Sequence, residues 1–215
     1  MAYVPILMDL SNKTVVIAGG GNIAERRVRK LINSGAKIHV ISPDVSNYIY
    51  RMQSEQKIIW HKKAITSTDL TNADLVVVAT DEADVNNRLK EEVPKHTLLN
   101  MTSNAQEGDV IFPGTFKRGK LTISVSSGGA SPKLVSSILR NLEDDYPDDY
   151  GEYVDFLSNC RSIIKGLNIE RLEQNHLLEI ILSDKYFDKN KQREFIEWLT
   201  LQPKMTKERS NICEN

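Results

Sequence analysis

The feature that most constrains this chain is a run of three glycines directly after an apolar, β-branched segment. Residues 14–18 (TVVIA) are followed at once by Gly19-Gly20-Gly21-Asn22-Ile23-Ala24. An uninterrupted apolar run of that length predicts a parallel strand covered on both faces. Residues 22–34 then place Ile23, Arg27–Val28 and Leu31–Ile32 at helical spacing, with Gly35 as the stop. Residues 37–41 (KIHVI) read as a second strand, closed by Ser42-Pro43-Asp44. Strand, helix and strand fit within about thirty residues, the size of one mononucleotide-binding half.

The glycines match G-x-G-x-x-G/A, with Gly19, Gly21 and Ala24 in the three slots. The first makes the tight turn out of the strand, the second admits a pyrophosphate to the backbone, and the third lets helix pack on sheet. The helix N-terminus adds unpaired N–H groups and the positive end of a dipole. A glycine-rich turn without a ligand would carry the same letters. The place between a predicted strand and a predicted helix is the context the fingerprint requires. Gly19, Gly20, Gly21, Asn22 and Ile23 are therefore candidate pyrophosphate contacts of a nicotinamide dinucleotide. Pro43 and Asp44 close the second strand, where an acidic residue accepts hydrogen bonds from the adenosine ribose and favours NAD over NADP. Asp44 can equally cap the following helix.

The alternation continues. Residues 45–56 read as helix, 57–60 as strand, 74–79 (DLVVVA) as a buried strand ending at Thr80-Asp81, 83–93 as a helix stopped by Pro94, and 97–101 as strand. The predicted fold class is α/β, a Rossmann-like doubly wound parallel sheet. Ligands of such sheets lie outside the carboxyl ends of the strands, so Thr80 and Asp81 are expected to line the cofactor cleft; either can also cap the next helix. Past residue 108 the pattern changes: 109–116 and 120–126 read as strands joined by a tight turn at Lys117-Arg118-Gly119. Ser126-Ser127-Gly128-Gly129-Ala130-Ser131-Pro132 leads into a helix over 132–144 and is either a second anion-binding turn or a plain loop with an N-cap serine. From about residue 148 the pattern is helical. Leu157, Ile163–Ile164, Leu167, Leu172, Leu177–Leu178 and Ile180–Ile181 supply its apolar stripe. The last dozen residues are polar and expected to fray.

Composition narrows the ligands. A net charge of −1 gives no global attraction for nucleic acid or an anionic membrane, so an anionic ligand must meet a local basic patch. Cys160 and Cys213 form no CxxC pair, and His39, His61, His96 and His176 show no metal-ligand spacing. No metal is expected, His39 reads as structural, and Cys213 as exposed. The start MAYVPILMDL has no basic leader, and no segment approaches a membrane span, so a cytoplasmic location is expected.

The chain resembles the precorrin-2 dehydrogenase family, the NAD-dependent part of siroheme synthases. The match runs from residue 1 to about 150, through Val4-Pro5-Ile6, Gly19–Arg27, Val78-Ala79-Thr80-Asp81, Leu99-Asn100, Ile111-Phe112-Pro113 and Val125–Pro132. The resemblance implies NAD-dependent oxidation of precorrin-2, a polycarboxylate tetrapyrrole, to sirohydrochlorin in siroheme biosynthesis. It implies a homodimer with an NAD-binding domain over 1–112, a dimerisation region over 113–147 and a helical region over 148–215. No methyltransferase segment follows, so the expected type is the stand-alone one, with uroporphyrinogen methylated by another protein. Ser127 matches a serine that lines the tetrapyrrole site, beside Gly128. Lys117, Arg118, Lys120 and Lys133 are candidate cations for the carboxylates, each also readable as an ordinary solvated charge. One departure matters. Where many members carry the proposed catalytic aspartate, this chain has Ser103, then Asn104, with Asp109 as the next carboxylate. Serine is a poor general base without a partner. A non-catalytic NAD- or tetrapyrrole-binding protein thus stays open, as does an unrelated small dehydrogenase. Some relatives also insert iron as bifunctional dehydrogenase/ferrochelatases, but the histidines here give no sign of it.

Overall fold

The computed structural model describes residues 3–202; the polar tail and Cys213 lie outside them. Five parallel strands form one sheet: β1 (Thr14–Ala18), β2 (Lys37–Ile41), β3 (Ile59–His61), β4 (Leu75–Val78) and β5 (Leu98–Met101), in the order β3-β2-β1-β4-β5. The helices between them are α1 (Asn22–Leu31), α2 (Asn47–Ser54) and α3 (Ala83–Glu92). The chain leaves β1 to one side, returns, and builds the other side from β4. The order therefore reverses between β1 and β4, which is where a doubly wound sheet opens its crevice. The register sets Ala18 opposite both Ile41 and Val78, and Val78 opposite Met101, so the strands end level and their exits cluster.

Alternate residues of β1 enter two separate cores. Val15 and Ile17 pack with Val28, Leu31, Val40 and Ile49, whereas Val16 and Ala18 pack with Ile41, Leu70, Val76 and Leu89. Burial on both faces is why the strand reads as apolar throughout rather than alternating. Each fully buried Ile or Val of this kind contributes roughly 1.5–3 kcal/mol. Arg27, inside the motif matched above, places its guanidinium over the Phe112 ring at 4.8 Å, and Lys30 donates to the Pro113 carbonyl at 2.6 Å.

The chain divides into two compact units, one running to Pro113 together with Gly128–Ala130, the other comprising Gly114–Ser127 and the chain from Ser131. The second contains the hairpin β6 (Gly114–Arg118) and β7 (Leu121–Val125), followed by α4 (Pro132–Asp145), α5 (Tyr150–Lys165), α6 (Arg171–Ile180) and α7 (Lys189–Thr200). Two expectations about the hairpin are corrected. The strand read over 109–116 starts only at Gly114, because the Asp109 and Val110 amides turn back to the Leu99 carbonyl at 2.8 and 3.0 Å. The hairpin turn is Gly119-Lys120, not Lys117-Arg118-Gly119. Gly119 takes φ +56, which the first central position of a two-residue hairpin demands, and Lys117 and Arg118 pair with Thr122 and Leu121. The helical region packs around an aromatic core of Tyr153, Phe156 and Tyr186 with Cys160, Ile164 and Leu199. Leu172, read as part of the apolar stripe, is instead 78% exposed, being on the outer face of the short helix α6. No described helix is long and apolar enough to cross a membrane.

Candidate active site

The three glycines differ in what forces them. Gly19 has φ +109, and a Cβ there would lie 2.4 Å from the Ala79 carbonyl oxygen at the exit of β4. At Gly20 a Cβ would lie 2.0 Å from the Asp44 carbonyl oxygen in the turn after β2. These two glycines let the loop wedge between neighbouring strand exits. At Gly21 a Cβ would meet nothing within 4 Å. Gly21 is the N-cap of α1 and supplies no side-chain cap; its carbonyl accepts from Glu25 N at 2.9 Å. The amides of Asn22, Ile23 and Ala24 therefore begin the helix without intrahelical acceptors, next to the open space at Gly21, where only hydrogen projects from the backbone. A nucleotide diphosphate fits that cradle: its charge meets the helix dipole and its oxygens meet the free amides.

The turn after β2 is held firmly. Ser42 N donates to His61 O at 3.3 Å, and the Trp60 indole donates to Ser42 O at 3.0 Å. Asp44 is not the helix cap that was one reading of it. Ser46 caps α2, accepting from Ile49 N at 3.4 Å, while its hydroxyl donates to Glu25 at 2.6 Å. That bond, with Arg29 on the other carboxylate oxygen, holds Glu25 below the usual carboxylate range. The Asp44 side chain is left exposed at the turn, as is Pro43. Nearby, His39 Nδ1 and His61 Nε2 lie 3.0 Å apart, with ring planes 10° apart and centroids at 5.3 Å. A short nitrogen contact with wide centroid spacing means the rings meet edge to edge through a shared hydrogen bond, not face to face. Burial first, and His61 and Lys37 next, hold His39 below the ordinary histidine range.

At the exit of β4, Thr80 serves the start of α3. Its hydroxyl donates to Asn86 Oδ1 at 2.6 Å and accepts from Glu82 N at 3.2 Å, and Asn86 Nδ2 returns a bond to Thr80 O at 3.1 Å. Asp81 beside it is exposed. At the exit of β5, the Thr102 hydroxyl donates to Val78 O at 2.8 Å, and Ser103 follows, exposed. Asn104 accepts from Gln106 N at 3.1 Å and donates to Glu107 at 3.1 Å, capping the short 3₁₀ turn Ala105–Glu107. Asp109 is carried away from Ser103: the chain folds back along β5, and its carboxylate accepts from Leu99 N at 3.2 Å. Sequence reasoning missed the residues that hold this loop. The Tyr3 hydroxyl reaches Ala105 O at 2.5 Å and Gly108 O at 3.1 Å, and Asn100 donates to Val110 O at 2.7 Å. Asn100 is 2% exposed, and a polar residue inside an apolar strand was the available signal.

In the second unit Ser127 accepts from Ser131 N at 3.0 Å, and Ser131 caps α4 through Leu134 N at 3.2 Å, with Pro132 in the first turn. In the adjoining segment, Gly128 and Gly129 have φ of +60 and +90 and open space around them. Of the four candidate cations, two are committed elsewhere. Arg118 donates to Tyr146 O at 2.7 Å and approaches Asp148 at 3.3 Å; Lys120 binds Ser158 at 3.0 Å and Asp155 at 3.2 Å. Lys117 and Lys133 are exposed.

A parallel sheet of this order, with a side-chain-free cradle at its switch point, makes this a nicotinamide-dinucleotide-binding Rossmann protein. An NAD(P)-binding family model matches residues 6–114, and a SirC C-terminal domain model matches 150–195. The chain belongs to the precorrin-2 dehydrogenase family of oxidoreductases. It is 35% identical to the precorrin-2 dehydrogenase of Priestia megaterium over 89% of this chain and 96% of that protein. It is 40% identical to that of Bacillus subtilis over 73% of this chain and 97% of that protein. The solved structure of SirC, precorrin-2 dehydrogenase, superposes with a TM-score of 0.81 at 34% identity, covering 92% and 99% of the two chains. Siroheme synthase of Actinobacillus pleuropneumoniae serotype 3 is 29% identical over 92% of this chain but only 41% of its own length.

Proposed function

We propose that this protein oxidises precorrin-2 to sirohydrochlorin in siroheme biosynthesis, with NAD as the acceptor. The open cradle at Gly21, in a chain similar over nearly its whole length to precorrin-2 dehydrogenases, carries the reading. When bound, the nicotinamide supplies a hydride acceptor; the substrate loses a hydride and a proton, and the protein must hold the two rings face to face. Gly19, Gly20 and Gly21, with the amides of Asn22 and Ile23, hold the pyrophosphate. Asp44, freed from capping by Ser46, accepts from the ribose hydroxyls, and its charge disfavours a 2′-phosphate. Pro43 shapes that turn. Thr80 and Asp81 edge the nicotinamide half.

The proton path starts from Ser103 and Asn104. With no carboxylate at Ser103, these side chains orient a water that takes the proton; Asp109 joins only by leaving Leu99 N. Ser127 and Gly128 contact the tetrapyrrole, and Lys117 and Lys133 meet its carboxylates. The hairpin and α4 lie within residues 113–147, the proposed dimerisation region, where Leu134 and Ile138 remain 53% and 37% exposed. A second reading, binding without turnover, draws on Ser103 alone.

The test is to titrate the purified protein with NAD and NADP and then add precorrin-2. The expected result is tighter binding of NAD and steady NADH formation. Asp44→Ala should narrow the preference between the two. Binding of precorrin-2 with no NADH or NADPH formed would favour the second reading.

A further inference from the structure

The charges of α4 run against its own stability. Cations are favoured near a helix C-terminus and anions near its N-terminus. This helix has no acidic residue in its first turn and no basic residue in its last. Instead Lys133 lies in the first turn, Arg140 stands just past the middle, and Glu143, Asp144 and Asp145 crowd the end. A local rule broken without a compensating contact marks a place where sequence serves something other than folding.

The contacts of α4 define which face is involved. Val135 and Leu139 turn toward the hairpin, where a Cβ on Gly114 would lie 2.7 and 2.5 Å from their methyl groups. On the solvent side Pro132, Lys133, Ser136, Ser137 and Arg140 line a shallow, wide-open hollow of about 360 Å³. Neither Lys133 nor Arg140 pairs with an acidic side chain among the described residues. Ser136 donates to Pro132 O at 3.0 Å, leaving its oxygen to accept, whereas the Ser137 hydroxyl has no such bond. At 1.5 Å rise per residue the two cations stand about 10 Å apart along the axis. The hollow thus offers a guanidinium, an ammonium and a hydroxyl donor in line, with no carboxylate on its wall.

We propose that this face of α4 is the docking stripe for the carboxylate edge of the tetrapyrrole. Arg140 grips one carboxylate through its two-pronged fork, and Ser137 and Lys133 meet the arms of the neighbouring pyrrole. The proposal rests on the precorrin-2 reading and adds Arg140 as the residue that sets affinity for a polycarboxylate ring. The acidic end of the helix repels carboxylates beyond the hollow and so fixes how far along it the substrate sits. Arg140 touches only the rim of the substrate, so it governs binding and not the oxidation step.

Two measurements on the full-length protein test this. One is fluorescence titration with an octacarboxylate porphyrin without cofactor; the other is steady-state oxidation of precorrin-2. Arg140→Ala should raise both the porphyrin Kd and the precorrin-2 KM about tenfold, as loss of a charge-assisted hydrogen-bonded pair does, and flatten the salt dependence of binding. NAD affinity should not change and kcat should stay within about twofold, since only uniform binding is lost. Lys133→Ala should act in the same direction less strongly, and Arg140→Lys should restore part of the loss. Unchanged porphyrin Kd and precorrin-2 KM in both alanine variants would overturn the stripe while leaving the proposed reaction intact. Arg140-dependent porphyrin binding without any oxidation in the wild type would overturn the reaction and keep the stripe.

Discussion

Valine at position 21 should separate cofactor binding from folding. Gly21 has φ −79 and ψ −166, a conformation open to any residue, and a Cβ there meets nothing within 4 Å. In the free protein the substitution therefore costs only the poorer capping of valine relative to glycine, about 1 kcal/mol. That corresponds to a melting shift of about 2–4 °C for a chain of this size. With the dinucleotide the outcome reverses, because the new methyl groups stand where the diphosphate would lie against the α1 amides. Two such charge-assisted bonds lost, at about 1.5–3 kcal/mol each, amount to at least 3 kcal/mol. At 1.4 kcal/mol per tenfold, Kd for NAD rises by about a hundredfold or more. Gly19→Ala gives the opposite signature: positive φ and a Cβ 2.4 Å from Ala79 O should lower the melting temperature of the free protein markedly. Calorimetric titration with NAD, paired with thermal unfolding of both apo variants, reads the two effects. Wild-type NAD affinity in Gly21→Val would refute the cradle.

Other outcomes follow from the same contacts. Asp109→Ala removes an acceptor from Leu99 N, so it should cost about 1 kcal/mol of stability, read by denaturant unfolding, with kcat largely kept. Ser103→Asp should raise kcat and give its pH profile a limb that falls as that carboxylate is protonated; a flat profile counts against a proton leaving at this position. Burial and His61 depress His39 in the folded state, so the unfolded chain takes up the proton first as pH falls. Stability should be full above the ordinary histidine value of 6.5 and decline below it, and His39→Gln should flatten that decline in denaturant titrations at stepped pH. Burial pushes the Cys160 thiol up to about 11, so mass spectrometry should find it unlabelled by alkylating reagents in the native state at neutral pH and labelled once unfolded.

The amino-acid sequence alone determined the βαβ opening, the parallel sheet and the glycine turn that leads into α1. Each signal there is local: an apolar run needs cover on both faces, a glycine motif sets its own backbone, and helical spacing lies within a few residues. What only tertiary structure decided depends on partners distant along the chain. Ser46 rather than Asp44 caps α2, and Glu25 of the preceding helix accepts from the same hydroxyl at 2.6 Å. Arg118 and Lys120 are committed by Tyr146, Asp148, Asp155 and Ser158, some thirty positions on, while Lys133 and Arg140 meet no acidic side chain among the described residues. Asp109 was legible as the next carboxylate after Ser103, but its carboxylate went to Leu99 N, because the chain there folds back along β5. Hydrogen-bond partners that lie far apart in sequence exist only once the chain has closed on itself, which is why side-chain roles at the rim were less legible than the backbone cradle.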